Sequence, residues 1–132
     1  WTEGTIEHHG EFFDFEPVMF EPKPLQRPLP LVVGGESRRA LRRAAEVGDG
    51  WIGMFHTPES AALQVARLRG YEAEAGRADR PLRVTVMGTV TDQDDVAAWE
   101  AAGVDRLMVV PWARSPDAVA AIETFAEHFI PT

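Results

Sequence analysis

One rhythm constrains this chain more than anything else. From residue 31 on, a short apolar run is followed by a longer amphipathic stretch, and the pattern repeats four times. The runs are LVVGG (31–35), GWIGMF (50–55), LRVTVMGTV (82–90) and VDRLMVV (104–110). Each is short and rich in branched residues, as a strand covered on its outer face must be. The stretches between them have helical spacing and helix punctuation. In ESRRALRRAAEVG (36–48), Ala40, Leu41, Ala44 and Ala45 share one face and Gly48 ends the run. TPESAALQVARLRGYEAEAG (57–76) opens with Thr57 as a cap and Pro58 in the first turn, with Ala62, Val65, Ala66 and Leu68 as its apolar stripe. DQDDVAAWEAAG (92–103) has acids in its first turn and Gly103 beyond its end. PDAVAAIETFAEHF (116–129) is a final helix capped by Ser115–Pro116. Strands that alternate with helices imply parallel βαβ units, because the connections are too long for hairpins.

Four such units make half of a closed (β/α)₈ barrel, which needs about twice this length. At 132 residues the chain is of ordinary single-domain size, yet its pattern is that of half of something. The first residue is Trp1, not Met, so a fragment or a processed product is expected.

Residues 1–30 follow another logic. Five of the ten prolines fall there, and EPKPLQRPLP (21–30) suits neither a helix nor a central strand. GEFFDFEPVMF (10–20) before it has the character of a short strand or hairpin. The expected division is therefore an irregular Pro-rich connection over 1–30 and four βα units over 31–132.

Composition narrows the function. The net charge is −8, which argues against duplex nucleic acid or an anionic membrane as partner. There is no cysteine, hence no disulfide, thiolate metal site or cysteine nucleophile. No apolar run approaches membrane-spanning length and no signal peptide is visible, so a cytoplasmic protein is expected.

The combination Pro-Lys-Pro-x-Gln-x-Pro (22–28), Gly34–Gly35, Arg42-Arg43-Ala44-Ala45 and Asp49-Gly50-Trp51 resembles the second half of the luciferase-like monooxygenases. Residues 1–28 resemble the connection before the fifth barrel strand of that family, and AAGVDRLMVVPW (101–112) resembles the eighth strand. The resemblance implies a fold, namely the carboxyl-terminal half of a (β/α)₈ TIM barrel, strands five to eight. It also implies a flavin- or deazaflavin-dependent oxidoreductase that transfers a hydride or inserts oxygen. Coenzyme F-420 is the expected cofactor, and FMN the alternative. The cofactor phosphate would sit at Gly34, Gly35, Glu36 and Ser37. The units absent from the resemblance would shape the substrate pocket, so the chain alone is expected to be inactive. It is expected to pair with itself as a homodimer or with a partner chain that supplies the other half-barrel. The alternative function is a non-catalytic half-barrel that associates with itself or another chain.

The chemistry of the Gly-Gly junction suits a phosphate. Glycine permits positive φ and close approach to the main chain. The first amides of a helix lack intrahelical partners and sit at the positive end of its dipole. Ser37 offers a hydroxyl. Glu36 would repel a phosphate unless its carboxylate points away and only its amide binds. A Gly-Gly pair also serves as a plain tight turn, and the sequence leaves both uses open.

Other residues are weaker candidates. Arg38, Arg39, Arg42 and Arg43 suit either an anionic ligand or a solvated helix face paired with acids. Asp49 precedes its strand, at the end of the sheet opposite to the chemistry of barrels, and reads as a turn residue. At the carboxyl ends of the strands lie Phe55, His56, Gly88 to Thr91 and Pro111 to Arg114. His56 has no evident partner, and Trp112 suits ring stacking or packing equally. His8–His9 lacks the spaced ligands of a metal site.

Overall fold

Val33, Trp51, Val84 and Val86 point to one side of a parallel sheet, and that side carries the helices. The computed structural model describes residues 2–130. The chain divides into two units, residues up to 30 and residues from 31 on. In the first unit, β1 (Thr5–His9) and β2 (Asp14–Met19) form an antiparallel hairpin: GEFFDFEPVMF carries the second strand, and the first lies just before it. The ladder slips between Ile6 and His8, and His9 Nδ1 stands 2.6 Å from Asp14 Oδ1.

The second unit is an α/β fold. Its strands are β3 (Val32–Gly34), β4 (Gly50–Gly53), β5 (Arg83–Met87) and β6 (Arg106–Met108). They form one parallel sheet in chain order, β3-β4-β5-β6. Its helices are α1 (Arg38–Val47), α2 (Pro58–Glu74), α3 (Gln93–Ala101) and α4 (Ala118–Phe129). No described helix is long and apolar enough to cross a membrane.

The core lies between the sheet and α1 to α3. Leu41, Ala44 and Ala45 of α1 meet Trp51, Leu68, Leu82, Val84 and Val86. The buried face of α1 is the one its spacing predicts. The buried face of α2 keeps Val65 and Leu68 of the expected stripe but not its two alanines. Ala61, Val65, Leu68 and Glu72 are buried, while Ala62 and Ala66 are exposed. Glu72 lies on the same face at 1% exposure: its carboxylate accepts from the Leu82 amide and from Arg69 Nη1 at 2.9 and 3.1 Å. That pairing offsets part of the cost of burying the charge on the face that Ala61, Val65 and Leu68 pack into the core.

The amino ends of the strands are stapled by carboxylates. Asp49 accepts from the Leu31 amide at 3.0 Å and from Arg80 at 3.0 Å, and Asp105 accepts from the Val84 amide at 2.7 Å. The Leu31 amide, and secondarily Arg80, hold the Asp49 carboxyl below its ordinary value, although burial opposes them. The turn role expected of Asp49 is the one it has.

Three helix starts carry side-chain caps, of which Thr57 is the one expected. Ser37 Oγ accepts from Ala40 N, Asp92 Oδ1 accepts from Asp95 N, and Thr57 forms a reciprocal capping box with Ser60. The fourth does not. Ser115–Asp117 form a 3₁₀ turn and α4 begins at Ala118, with no side-chain cap at either start. Asp117 instead holds Arg114, at 2.9 and 3.2 Å, so its carboxylate is spent outside the helix.

Candidate functional site

The carboxyl ends of β3, β4 and β5 bring three loops to one edge of the sheet. At the first, the chain turns from β3 into α1 through Gly34, Gly35, Glu36 and Ser37. Gly35 has φ +112, and a Cβ there would stand 2.9 Å from the Ala40 Cβ. Only glycine takes that place without strain. The Gly35 carbonyl accepts from Trp51 Nε1 at 2.9 Å, which anchors the turn to the covered side of the sheet. Trp51 lies across Gly53, where a Cβ would stand 2.4 Å from the indole.

Ser37 spends its acceptor on the Ala40 amide at 3.2 Å. Its hydroxyl proton remains for another acceptor. The amides of Arg38 and Arg39, the first two residues of α1, have no intrahelical acceptor. Arg42 pairs with Glu74 at 3.0 Å and stacks over Tyr71 at 5.1 Å, so that member of the arginine cluster serves a solvated helix face.

Glu36 is tied to the next loop. Its Oε1 accepts from the Met54 amide at 3.1 Å, and its Oε2 lies 3.0 Å from His56 Nε2, an ion-pair distance without hydrogen-bond alignment. The His56 side chain is only 10% exposed, with Nδ1 3.0 Å from Ser60 Oγ. Its backbone amide donates to the Met87 carbonyl at 3.1 Å. His56 therefore has two side-chain neighbours where the sequence shows none. Glu36 and His56 stand twenty positions apart, each just past a strand. Only parallel pairing of β3 with β4 makes them neighbours, and that adjacency was the signal that the sequence offered. Between them Phe55 holds φ +57 and is 82% exposed, a conformation that costs a bulky residue free energy.

At the end of β5, Gly88 donates to the Met108 carbonyl at 3.1 Å. A Cβ at Gly88 would meet the Trp99 indole at 2.4 Å, and Trp99 Nε1 donates to the Thr89 carbonyl at 2.9 Å. Gly88 and Thr89 thus serve packing. Trp112 is half-buried beyond β6. His8 and His9 lie in the hairpin, and no group of three or more metal-ligating side chains occurs among the described residues.

The residues at the β3–α1 turn fit a phosphate. Free helix amides, a hydroxyl proton and a main chain without Cβ atoms at Gly34 and Gly35 occur together. The Glu36 carboxylate is engaged by the Met54 amide and His56.

Comparison with known proteins gives the family and the fold. The sequence profile of the luciferase-like monooxygenases matches residues 1–128. An uncharacterized protein of Mycobacterium tuberculosis (strain ATCC 25618 / H37Rv) is 35% identical over 142 aligned positions, covering 98% of this chain and 47% of its own length. The FMNH(2)-dependent dimethylsulfone monooxygenase of Pseudomonas putida is 37% identical over 79 positions, 59% of this chain and 22% of its own. The chain thus spans about half the length, or less, of these curated relatives. Among solved structures, the coenzyme F420 dependent tetrahydromethanopterin reductase from Methanopyrus kandleri superposes with a TM-score of 0.71 at 15% identity, over 95% of this chain and 57% of that one. At that identity the likeness is one of fold. With the profile spanning nearly all of its residues, the chain belongs to the luciferase-like monooxygenase family.

Proposed function

We propose that residues from 31 on are the carboxyl-terminal half of a (β/α)₈ barrel, with β3 to β6 as its fifth to eighth strands. Its role is to hold the phosphate of a flavin or deazaflavin cofactor in an oxidoreductase. The observation that carries this reading is the β3–α1 turn, where Gly35 at φ +112 opens the main chain beside the free amides of α1. Gly34, Gly35, Glu36 and Ser37 form the site: amides at Glu36 and Ser37, the Ser37 hydroxyl, and glycines that allow close approach. Coenzyme F-420 is the cofactor favoured, in line with the fold of the Methanopyrus reductase; FMN is the alternative, in line with the Pseudomonas monooxygenase. When bound, the ring system supplies hydride transfer or oxygen chemistry, and the protein supplies position and electrostatics. The small-molecule substrate would be shaped by the other half-barrel.

The test is a titration with ligands that differ in the phosphate alone. FMN should bind at least roughly tenfold more tightly than riboflavin, since one or two charge-assisted hydrogen bonds contribute about 1.5–3 kcal/mol each. F-420 should likewise exceed its deazaflavin core lacking the phosphodiester. Equal affinities within each pair would refute the phosphate site. The second reading, a non-catalytic half-barrel that binds another chain, draws on Val32, which is 53% exposed on the sheet face without helices. A protein that purifies without flavin or deazaflavin absorbance and takes up neither cofactor would favour it.

A further inference from the structure

Phe55 stands in a conformation that the fold could hold without a phenyl ring. Its backbone is fixed from both sides. Before it, the Met54 amide donates to Glu36 Oε1 at 3.1 Å. After it, the His56 amide donates to the Met87 carbonyl at 3.1 Å. The His56 ring has Nδ1 3.0 Å from Ser60 Oγ and is tilted against Trp51, with centroids 6.0 Å apart. To satisfy both ends the chain turns at residue 55, with φ +57. Glycine takes that conformation freely, and a bulky residue does not.

Nothing inside the chain offsets that cost. Phe55 is 82% exposed, and among the described residues it forms no aromatic or cation–π pair. An exposed apolar side chain is ordinary by itself. Joined to a left-handed backbone it is not, since glycine would remove the strain and the exposed ring together. Strain of this kind persists where function uses it. The place points the same way. The β3–β4 register sets Gly34 beside Ile52, so Phe55 follows shortly after the partner of the phosphate-fitting turn, at the same edge of the sheet. Met54 next to it is 45% exposed. A turn that offers amides and a hydroxyl thus has an apolar neighbour, as a ligand with both a phosphate and a planar ring requires.

We propose that Phe55 is a ligand-contact residue: its exposed ring packs against the planar flavin or deazaflavin of the molecule whose phosphate sits at the β3–α1 turn. The inference rests on the cofactor reading above, but it concerns a different part of the ligand. The turn sets how much a ligand gains from its phosphate. Phe55 sets how tightly the ring itself is held, by apolar burial and offset stacking. The Glu36–Met54 bond joins the two, because it ties the Phe55 loop to the turn.

Riboflavin and FMN share the ring and differ in the phosphate, so they test the two parts separately. F-420 and its deazaflavin core serve in the same way where the protein takes the deazaflavin alone. Phe55→Gly should keep or raise the midpoint of urea unfolding, because the strain is relieved. It should nevertheless bind riboflavin and FMN each roughly tenfold more weakly, with the ratio between them unchanged. Phe55→Trp should keep the affinity and quench the emission of bound riboflavin more than wild type does, because a stacked indole donates an electron to the excited flavin. An unchanged riboflavin affinity in Phe55→Gly would overturn the inference, and so would quenching in Phe55→Trp no greater than in wild type. A lowered unfolding midpoint in Phe55→Gly, or its failure to fold by circular dichroism, would assign Phe55 to the fold and overturn it as well. A wild type that binds riboflavin and FMN equally refutes the phosphate site alone; a tenfold loss of both in Phe55→Gly then leaves Phe55 as the ring contact. A wild type that takes up neither flavin nor deazaflavin overturns both.

Discussion

Gly34 and Gly35 are chain neighbours, and alanine at each should have opposite consequences. At Gly35 the backbone has φ +112, where an L-residue costs about 1–3 kcal/mol. The new methyl would also stand 2.9 Å from the Ala40 Cβ. Ala40 is 6% exposed and its methyl is fixed to the helix, so it has no flexible end to yield; overpacking of this kind costs about 1–3 kcal/mol. The loss of unfolded-state freedom returns about 0.4–1 kcal/mol. The net expectation for Gly35→Ala is a destabilisation of about 2–4 kcal/mol, a large part of a total stability of about 5–15. Gly34 lies in β3 without positive φ, and its Cβ would rest 3.4 Å from Ile52 Cγ2, an ordinary contact. Gly34→Ala should therefore stay within about 1 kcal/mol of wild type. Urea unfolding followed by tryptophan fluorescence and by far-UV circular dichroism measures both variants, and Trp51, fully buried and bonded to the Gly35 carbonyl, reports on the turn itself. The reasoning fails if Gly35→Ala loses less than about 1 kcal/mol, or if Gly34→Ala loses as much as its neighbour. A consequence for the cofactor site is that Gly34→Ala probes binding with the fold intact, whereas substitution at Gly35 disturbs the fold first.

Removing the buried carboxylate with Glu72→Ala should cost about 3–5 kcal/mol by denaturant unfolding, since the Leu82 amide and Arg69 lose their acceptor. A loss under about 1 kcal/mol would contradict the reading of Glu72 as a buried, paired carboxylate. The carboxyls of Asp49 and Asp95 are held below their ordinary value of 3.8, the first mainly by the Leu31 amide, the second mainly by the Thr91 hydroxyl. A lowered folded-state value gives stability that is present above the unfolded value and lost as pH falls through the folded one. Stability should thus decline below about pH 4, and Asp49→Asn should make that acid decline shallower; an unchanged slope would count against the staple. The chain by itself should show no steady-state turnover with reduced FMN or reduced F-420 and carbonyl acceptors, and a measurable rate would show that no other half-barrel is needed.

The order of elements in the second unit was legible because each signal is local. Branched runs, Gly48 and Gly103 past helix ends, the Thr57–Pro58 start and the one-sided apolar spacing of α1 each act within a few residues, and the structure follows all of them. The family resemblance was legible for the same reason, since its motifs run continuously along the chain. The turn at Gly34–Gly35 was visible as a special conformation, but its anchor, Trp51, lies sixteen positions away.

What local signals could not convey was decided by pairing across strands. The apolar positions of α2 run partly around the helix, so its spacing leaves the buried face open; in the fold Ala61, Val65 and Leu68 join the core and Glu72 meets the Leu82 amide. Ser115–Pro116 reads as the cap of the last helix, yet the helix starts at Ala118 without a side-chain cap, and Asp117 beside it is drawn to Arg114. Glu36 looked like a repulsive group at a phosphate turn until β4 placed the Met54 amide and His56 beside it. Helix and strand periods are properties of consecutive residues, whereas these contacts join residues distant in the chain, and their energies exist only once the sheet has aligned its strands.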